Sequence, residues 1–150
     1  MSAIAIDPLQ TLKLARVFPA PRERVFRAWT EPAELMRWWG PVGFTTPSAE
    51  VDLRVGGKYR IAMRRPDGGV HFVKGTYVDV KPPERLVMTW AWEGMAGFDD
   101  FDSLVTIEFV AKGAATEIVL THEKLPAVAA ASHERGWNGT FDHFATHLGQ

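Results

Sequence analysis

Apolar and polar positions along this chain change period twice, and the changes outline its elements. Residues 12–18, LKLARVF, alternate with Leu12, Leu14 and Phe18 on one side, which predicts a strand. Pro19 ends it by removing a ladder donor. The period then lengthens. Pro21 suits the first turn of a helix, where its missing N–H is no loss, and Val25, Phe26 and Trp29 supply an apolar face. Thr30 is expected to cap a second short helix, with Pro32 in its first turn and Leu35, Trp38 and Trp39 following before Gly40 and Pro41 stop it. Adjacent side chains diverge by about 100° on a helix, so Trp38 and Trp39 cannot share one narrow core stripe. Either Trp39 lies flat under a loop while Trp38 seals the helix pair to the body, or Trp39 forms a pocket wall.

After Gly43 the period returns to two. Strands are expected over residues 48–53, 58–65, 70–80, 85–92, 103–111 and 115–123, separated by Gly, Pro and Asp clusters in the rhythm of an antiparallel meander. Alternation turns Tyr59, Ile61 and Met63 inward against Arg60, Ala62 and Arg64. Leu86, Met88, Trp90 and Trp92 share a face, as do Ile118, Leu120 and His122. Residues 70–80 alternate too irregularly to orient Lys74 and Thr76. The final segment, residues 128–148, carries Trp137, Phe141, Phe144 and Leu148 at helical spacing, one stripe of an amphipathic helix. Gly136 and Gly139 each weaken that helix by about 1 kcal/mol relative to alanine. They read either as a site of close approach or as a helix starting late, near Arg135.

No repeat, low-complexity tract or composition shift divides the 150 residues, so one domain over 1–150 is expected, with residues 1–10 as a loosely ordered leader. The formal net charge of -1 provides no global field toward nucleic acid or an anionic membrane, and neither partner is expected. The absence of cysteine excludes disulfides, thiolate metal sites and a cysteine nucleophile. No apolar run approaches a membrane span, and the first residues lack the pattern of a secretory signal. A soluble, cytoplasmic protein without membrane insertion is the resulting expectation.

The order of strand, two helices, meander and terminal helix is that of the helix-grip fold. Pro21-Arg22-Glu23-Arg24-Val25-Phe26-Arg27-Ala28-Trp29-Thr30, Trp38-Trp39-Gly40-Pro41, Gly56-Gly57-Lys58-Tyr59, Pro66-Asp67-Gly68, Pro83-Glu84-Arg85-Leu86, Ser103-Leu104-Val105-Thr106 and Gly136-Trp137 follow in sequence. In that order and spacing they resemble the single-domain bacterial relatives of the activator of the 90-kDa heat-shock protein's ATPase. These belong to the SRPBCC, or START-like, superfamily. The resemblance implies an α+β fold, a curved antiparallel sheet of six to seven strands wrapped on a long C-terminal helix, with a cavity that relatives use for apolar molecules. It implies no shared catalytic set, and the additional N-terminal domain through which the eukaryotic branch engages its client has no counterpart in this sequence.

Apolar ligand-binding candidates are Trp39, Tyr59, Ile61, Met63, Met88, Trp90, Leu120, His122, Trp137 and Phe141. A dry hollow costs about 24 cal/mol per Å³, so a ligand-sized void cannot remain empty and dry. Either these side chains fill it, or a ligand or water does. His122 is the ionisable member of the set: it orients a ligand or moves a proton, with Tyr59 as its companion, or it is an inert, hydrogen-bonded neutral histidine. His143 and His147 lie four apart, but at the edge of the buried stripe and without a completing glutamate, so no metal is expected. Asp99, Asp100 and Asp102 lack calcium-loop spacing. Ser103 has no histidine near it in sequence and no nucleophile-elbow glycines. Arg60, Arg64 and Arg65 read as the solvent face of a hairpin. Three functions follow: a cofactor-free binder of an apolar or amphipathic small molecule, a cyclase- or hydrolase-type enzyme using His122 and Tyr59, or a chaperone regulator using the exposed side of residues 21–41. Symmetric pairing into a homodimer follows only if a tryptophan stays exposed.

Overall fold

One strand and two helices precede an unbroken six-strand meander and a closing helix in the computed structural model, which describes residues 9–94 and 102–149. The elements are β1 (Gln10–Phe18), α1 (Arg22–Thr30), α2 (Pro32–Trp38), β2 (Thr45–Val51), β3 (Lys58–Arg64), β4 (Val70–Lys81), β5 (Arg85–Glu93), β6 (Asp102–Lys112), β7 (Ala115–Leu125) and α3 (Ala127–Leu148). The strands form a single seven-stranded sheet in the order β1-β7-β6-β5-β4-β3-β2, with every pair antiparallel. This is the α+β helix-grip architecture expected from the sequence. Among the described residues, no helix is long and apolar enough to cross a membrane.

The topology explains why two helices follow β1. The first strand lies at one edge beside β7, and the next strand, β2, lies at the other edge. Six inter-strand gaps of about 4.8 Å make a path of roughly 29 Å measured along the sheet. The chain crosses that breadth as α1 and α2, which cover the same face of the sheet as α3. Register shifts at Gln10/Leu12, Thr45/Ser48 and Tyr77/Asp79 mark irregularities that bend the strands around this helical layer.

Local chemistry shifts several boundaries. Thr30 does not cap α2: it closes α1, its Oγ1 donating to the Phe26 carbonyl at 2.8 Å, and Glu31 holds the N-cap position without a side-chain cap bond. Pro32 drives this, because the residue before a proline is pushed into the extended region, where Glu31 sits at φ -91 and ψ 126. The first strand begins at Gln10, so that residue belongs to the sheet and not to a leader; residues 1–8 lie outside the described residues. The second strand covers Thr45–Val51, earlier than 48–53. Pro47 is tolerated because β2 is an edge strand, and residues 52–57 are taken up by the turn. Of the acidic run, Asp99 and Asp100 lie outside the described residues, and Asp102 opens β6.

The core is a layer of aromatic rings between the sheet and the helices. Phe18 meets Phe141 and Phe144 at 5.6 and 4.9 Å between ring centroids, and Phe26 meets Phe109 at 5.3 Å. Trp29 lies among Trp38, Trp39, Trp137 and Phe144. Trp38 anchors α2 to α1 by donating its indole N–H to the Ala28 carbonyl at 3.0 Å. Both adjacent tryptophans are buried, at 2% and 6% exposure. They escape the divergence expected of helical neighbours because the helix ends at Trp38 and Trp39 is extended, with φ -61 and ψ 144.

Candidate functional site

The inward faces of β3, β4 and β5 and the flank of α3 do not close completely on one another. Between them lies a cavity of about 290 Å³. Trp39, Met63, Trp90, Trp92 and Trp137 form much of its wall. Their centroid separations are 6.0 Å for Trp39–Trp90, 5.9 Å for Trp39–Trp137, 4.8 Å for Trp90–Trp137 and 5.5 Å for Trp90–Trp92. Pro41 and Phe44, from the connection after α2, face Ser132, Arg135 and Gly136 of α3 around the same space. Arg135 is exposed, and Pro41, Phe44, Ser132 and Gly136 are half-buried, so this side leads to solvent.

The two glycines of α3 have different surroundings. A Cβ on Gly139 would lie 3.2 Å from both Cα and Cβ of Pro41, so this glycine lets the α2–β2 connection press against the helix. A Cβ on Gly136 would meet nothing within 4 Å, because that position borders the cavity. The helix runs from Ala127 through both, which removes the late start near Arg135. A sealed dry void of this size would cost on the order of 7 kcal/mol, comparable with a domain's whole stability. Its route to solvent lets water or a ligand occupy the space instead.

Of the expected ligand contacts, Trp39, Met63, Trp90 and Trp137 line the cavity. Ile61, Met88, Leu120 and Phe141 are buried in the surrounding core. Tyr59 is not the companion of His122. Its strand is separated from β7 by β4, β5 and β6, and its hydroxyl donates to the Thr89 carbonyl at 2.5 Å. Burial raises its pKa well above the ordinary value. Lys74 and Thr76 stand with Phe72 on the outer side, opposite His71, Val73 and Tyr77. On that side Arg60 stacks over Phe72 at 3.6 Å and is bound by Glu93 at 3.2 and 3.0 Å, so it is a fixed ion pair as well as a hairpin surface.

His122 is fully buried beside the cavity wall, and its bonds define its protonation. The Trp137 indole N–H can only donate, so at 3.0 Å Nδ1 of His122 must accept. In the neutral ring the proton is then on Nε2, which donates to Ser103 Oγ at 2.7 Å. Ser103 in turn donates to the Trp90 carbonyl at 3.1 Å. This chain brings Ser103 and His122 together from neighbouring strands, but with its proton direction opposed to a serine–histidine nucleophile: the histidine gives a proton to the serine oxygen. Burial, with a smaller contribution from nearby His133, lowers the pKa of His122 to about 3.

A second pair repeats the arrangement. Trp92 donates its indole N–H to Nε2 of His133 at 2.9 Å, and Nδ1 donates to the Ala129 carbonyl, also at 2.9 Å. Burial lowers the pKa of His133, against the opposing effect of that carbonyl. The two imidazoles lie 5.2 Å apart. His71 is a third buried histidine. Arg65 donates to its Nδ1 at 3.2 Å, placing the neutral ring's proton on Nε2, and burial followed by the Arg65 charge lowers its pKa.

His133, His71, Trp92, Phe44 and Thr140 also line the cavity, beyond the contacts expected from sequence. His133 precedes Trp137 by one helical turn, and His71 alternates with Val73, so spacing contained a signal for both. Phe44 lies in an irregular connection with no periodic signal. His143 borders a separate hollow, while His147 Nε2 lies 2.8 Å from Glu34 Oε1. Among the described residues, no group of three or more His, Cys, Asp or Glu is arranged to hold a metal ion.

Comparison with known proteins gives this architecture relatives. Residues 19–149 match the sequence model of a family described as Activator of Hsp90 ATPase homolog 1-like protein. Similar solved structures include a Chromobacterium violaceum protein, 30% identical with a TM-score of 0.80, over 91% of this chain and 96% of that one. A Silicibacter pomeroyi protein of the same family name is 28% identical with a TM-score of 0.82, over 93% and 98%. A Plasmodium falciparum protein described as an HSP90 activator is 29% identical with a TM-score of 0.60, over 78% and 74%. Among curated protein sequences, none matches this chain.

Proposed function

This chain belongs to the family of Activator of Hsp90 ATPase homolog 1-like proteins, and within it we propose that it acts as a carrier, holding a small apolar or amphipathic molecule between the sheet and α3. The observation that carries this reading is the tryptophan-walled cavity of about 290 Å³, which persists although the surrounding core is densely aromatic. Its volume is near the small end of ligand sites, and its apolar wall with few polar groups has the usual character of such sites. The neutral, doubly bonded His122 supports a positioning role behind Trp90 and Trp137 in preference to acid–base chemistry.

A thermal-shift screen of the purified protein against small apolar and amphipathic compounds tests this reading. A bound compound raises the melting temperature by mass action, and Gly136→Leu, which places a side chain into the open space, should remove the shift while leaving a cooperative transition. Shifts unchanged in Gly136→Leu would place binding elsewhere; an absence of shifts across the screen would count against the carrier. A second reading, regulation of a chaperone ATPase, is favoured by the name of the Plasmodium falciparum relative. It predicts a changed chaperone ATPase rate on adding this protein.

A further inference from the structure

We infer that the cavity selects planar aromatic monoanions, with the ring system against the wall formed by the indoles of Trp39, Trp90 and Trp137 and the anionic group at Arg135. This rests on the carrier reading and adds a chemical class to it.

The ring preference follows from the wall. Trp39 and Trp137 stand at 87°, while Trp90 is tilted by about 45° to each, with interplanar angles of 45° and 43°. Such an arrangement presents both ring faces and ring edges to an occupant. Aromatic pairs in offset or edge-to-face contact contribute about 0.5–1.5 kcal/mol beyond their area burial, a gain that an aliphatic chain does not share.

The charge preference follows from an imbalance of charge in the lining. Among the described residues, no aspartate or glutamate lines the cavity, whereas Arg135 does, and it has no ion-pair partner among them. A lining histidine adds a donor: nothing among the described residues accepts the Nε2–H of His71. Ser132 and Thr140 already donate within α3, to Ala129 and Gly136. An arginine at the rim of a lining that holds no carboxylate favours an occupant that brings acceptors and negative charge. The position of Arg135, exposed on α3 beside Gly136, leaves the ring end inside and the charged end near water, where its desolvation cost is smallest.

Calorimetric titration with naphthoate and with the neutral, similarly shaped naphthalenemethanol tests this. The expected result is about tenfold tighter binding of naphthoate, a difference that shrinks with added salt. Arg135→Gln should equalise the two, Arg135→Lys should keep most of the preference, and Gly136→Leu should abolish both. Equal affinities in the parent protein, or a preference unchanged in Arg135→Gln, overturn the charge assignment and leave the carrier standing. Decanoate binding as tightly as naphthoate overturns the aromatic assignment. Failure of both naphthalene compounds to bind overturns the whole inference, while the carrier itself is judged by the melting screen.

Discussion

The indole N–H of Trp137 donates to Nδ1 of His122 at 3.0 Å. Because an indole cannot accept, this contact fixes the histidine's tautomer and sends its proton toward Ser103. It also links the helix that borders the cavity to the far strand of the meander, so the position of Trp137 in the wall depends on a neutral imidazole behind it.

Stability should therefore fall on acidification. His122 and His133 are held neutral in the folded protein, and the unfolded chain binds protons that the folded chain refuses below the ordinary value near 6.5. The sign follows: stability is full above about pH 6.5 and declines below it, for His122 down to about pH 3, by up to about 1.4 kcal/mol per pH unit, with His133 adding in the same direction. Urea unfolding at a series of pH values will show a shallower decline for His122→Gln, whose amide can both accept and donate. Equal slopes in the two proteins would refute the neutral assignment.

Breaking the chain at its donor should cost more than loss of ring area. Trp137→Phe leaves the buried Nδ1 of His122 without a partner, at about 1–3 kcal/mol. Ser103→Ala strands Nε2–H in the same way and is expected to lie in the same range. Denaturant midpoints at neutral pH measure both. A near-neutral Ser103→Ala would mean that the Ser103 contact carries little.

The two helix glycines should respond to alanine differently. Gly136→Ala has open space and gains helix propensity, raising stability by up to about 1 kcal/mol. Gly139→Ala meets the Pro41 backbone at 3.2 Å, which offsets that gain or reverses it. Thermal unfolding of the two variants should rank Gly136→Ala above Gly139→Ala, and the opposite order would contradict the close-approach account.

Gly75 is more constrained than either. An added Cβ would collide with the Thr89 carbonyl oxygen, the same oxygen that accepts the Tyr59 hydroxyl, so Gly75→Ala must push β4 from β5. A loss of about 2 kcal/mol or more is expected in chemical denaturation. A loss below about 0.5 kcal/mol would show that the strands separate easily there.

Much of the fold was legible because its signals are local. Alternation in residues 85–92 and 115–123 and the Trp137–Phe141–Phe144 stripe depend only on period, which sidedness reveals directly. The capping preference of Thr30 points to α2, but Pro32 holds Glu31 extended at the N-cap and Thr30 closes α1 instead. Tyr59 and His122 both turn inward, but period two gives a face and not a distance across the sheet, and three strands separate theirs. Ser103 offered no sign of its histidine, since the two stand nineteen positions apart in the chain and only the β6–β7 register joins them.

Taken by itself, the sequence determined the strand and helix order, the buried faces and the family likeness, all of which rest on short-range periodicity and motif spacing. Tertiary structure alone decided that the aromatic layer leaves a cavity, that Gly136 borders it while Gly139 receives Pro41, and that His122 is a satisfied neutral link. Those outcomes depend on distances between side chains remote in sequence. Packing sets such distances to within an ångström, whereas a hydrophobic pattern specifies only which side of an element is covered.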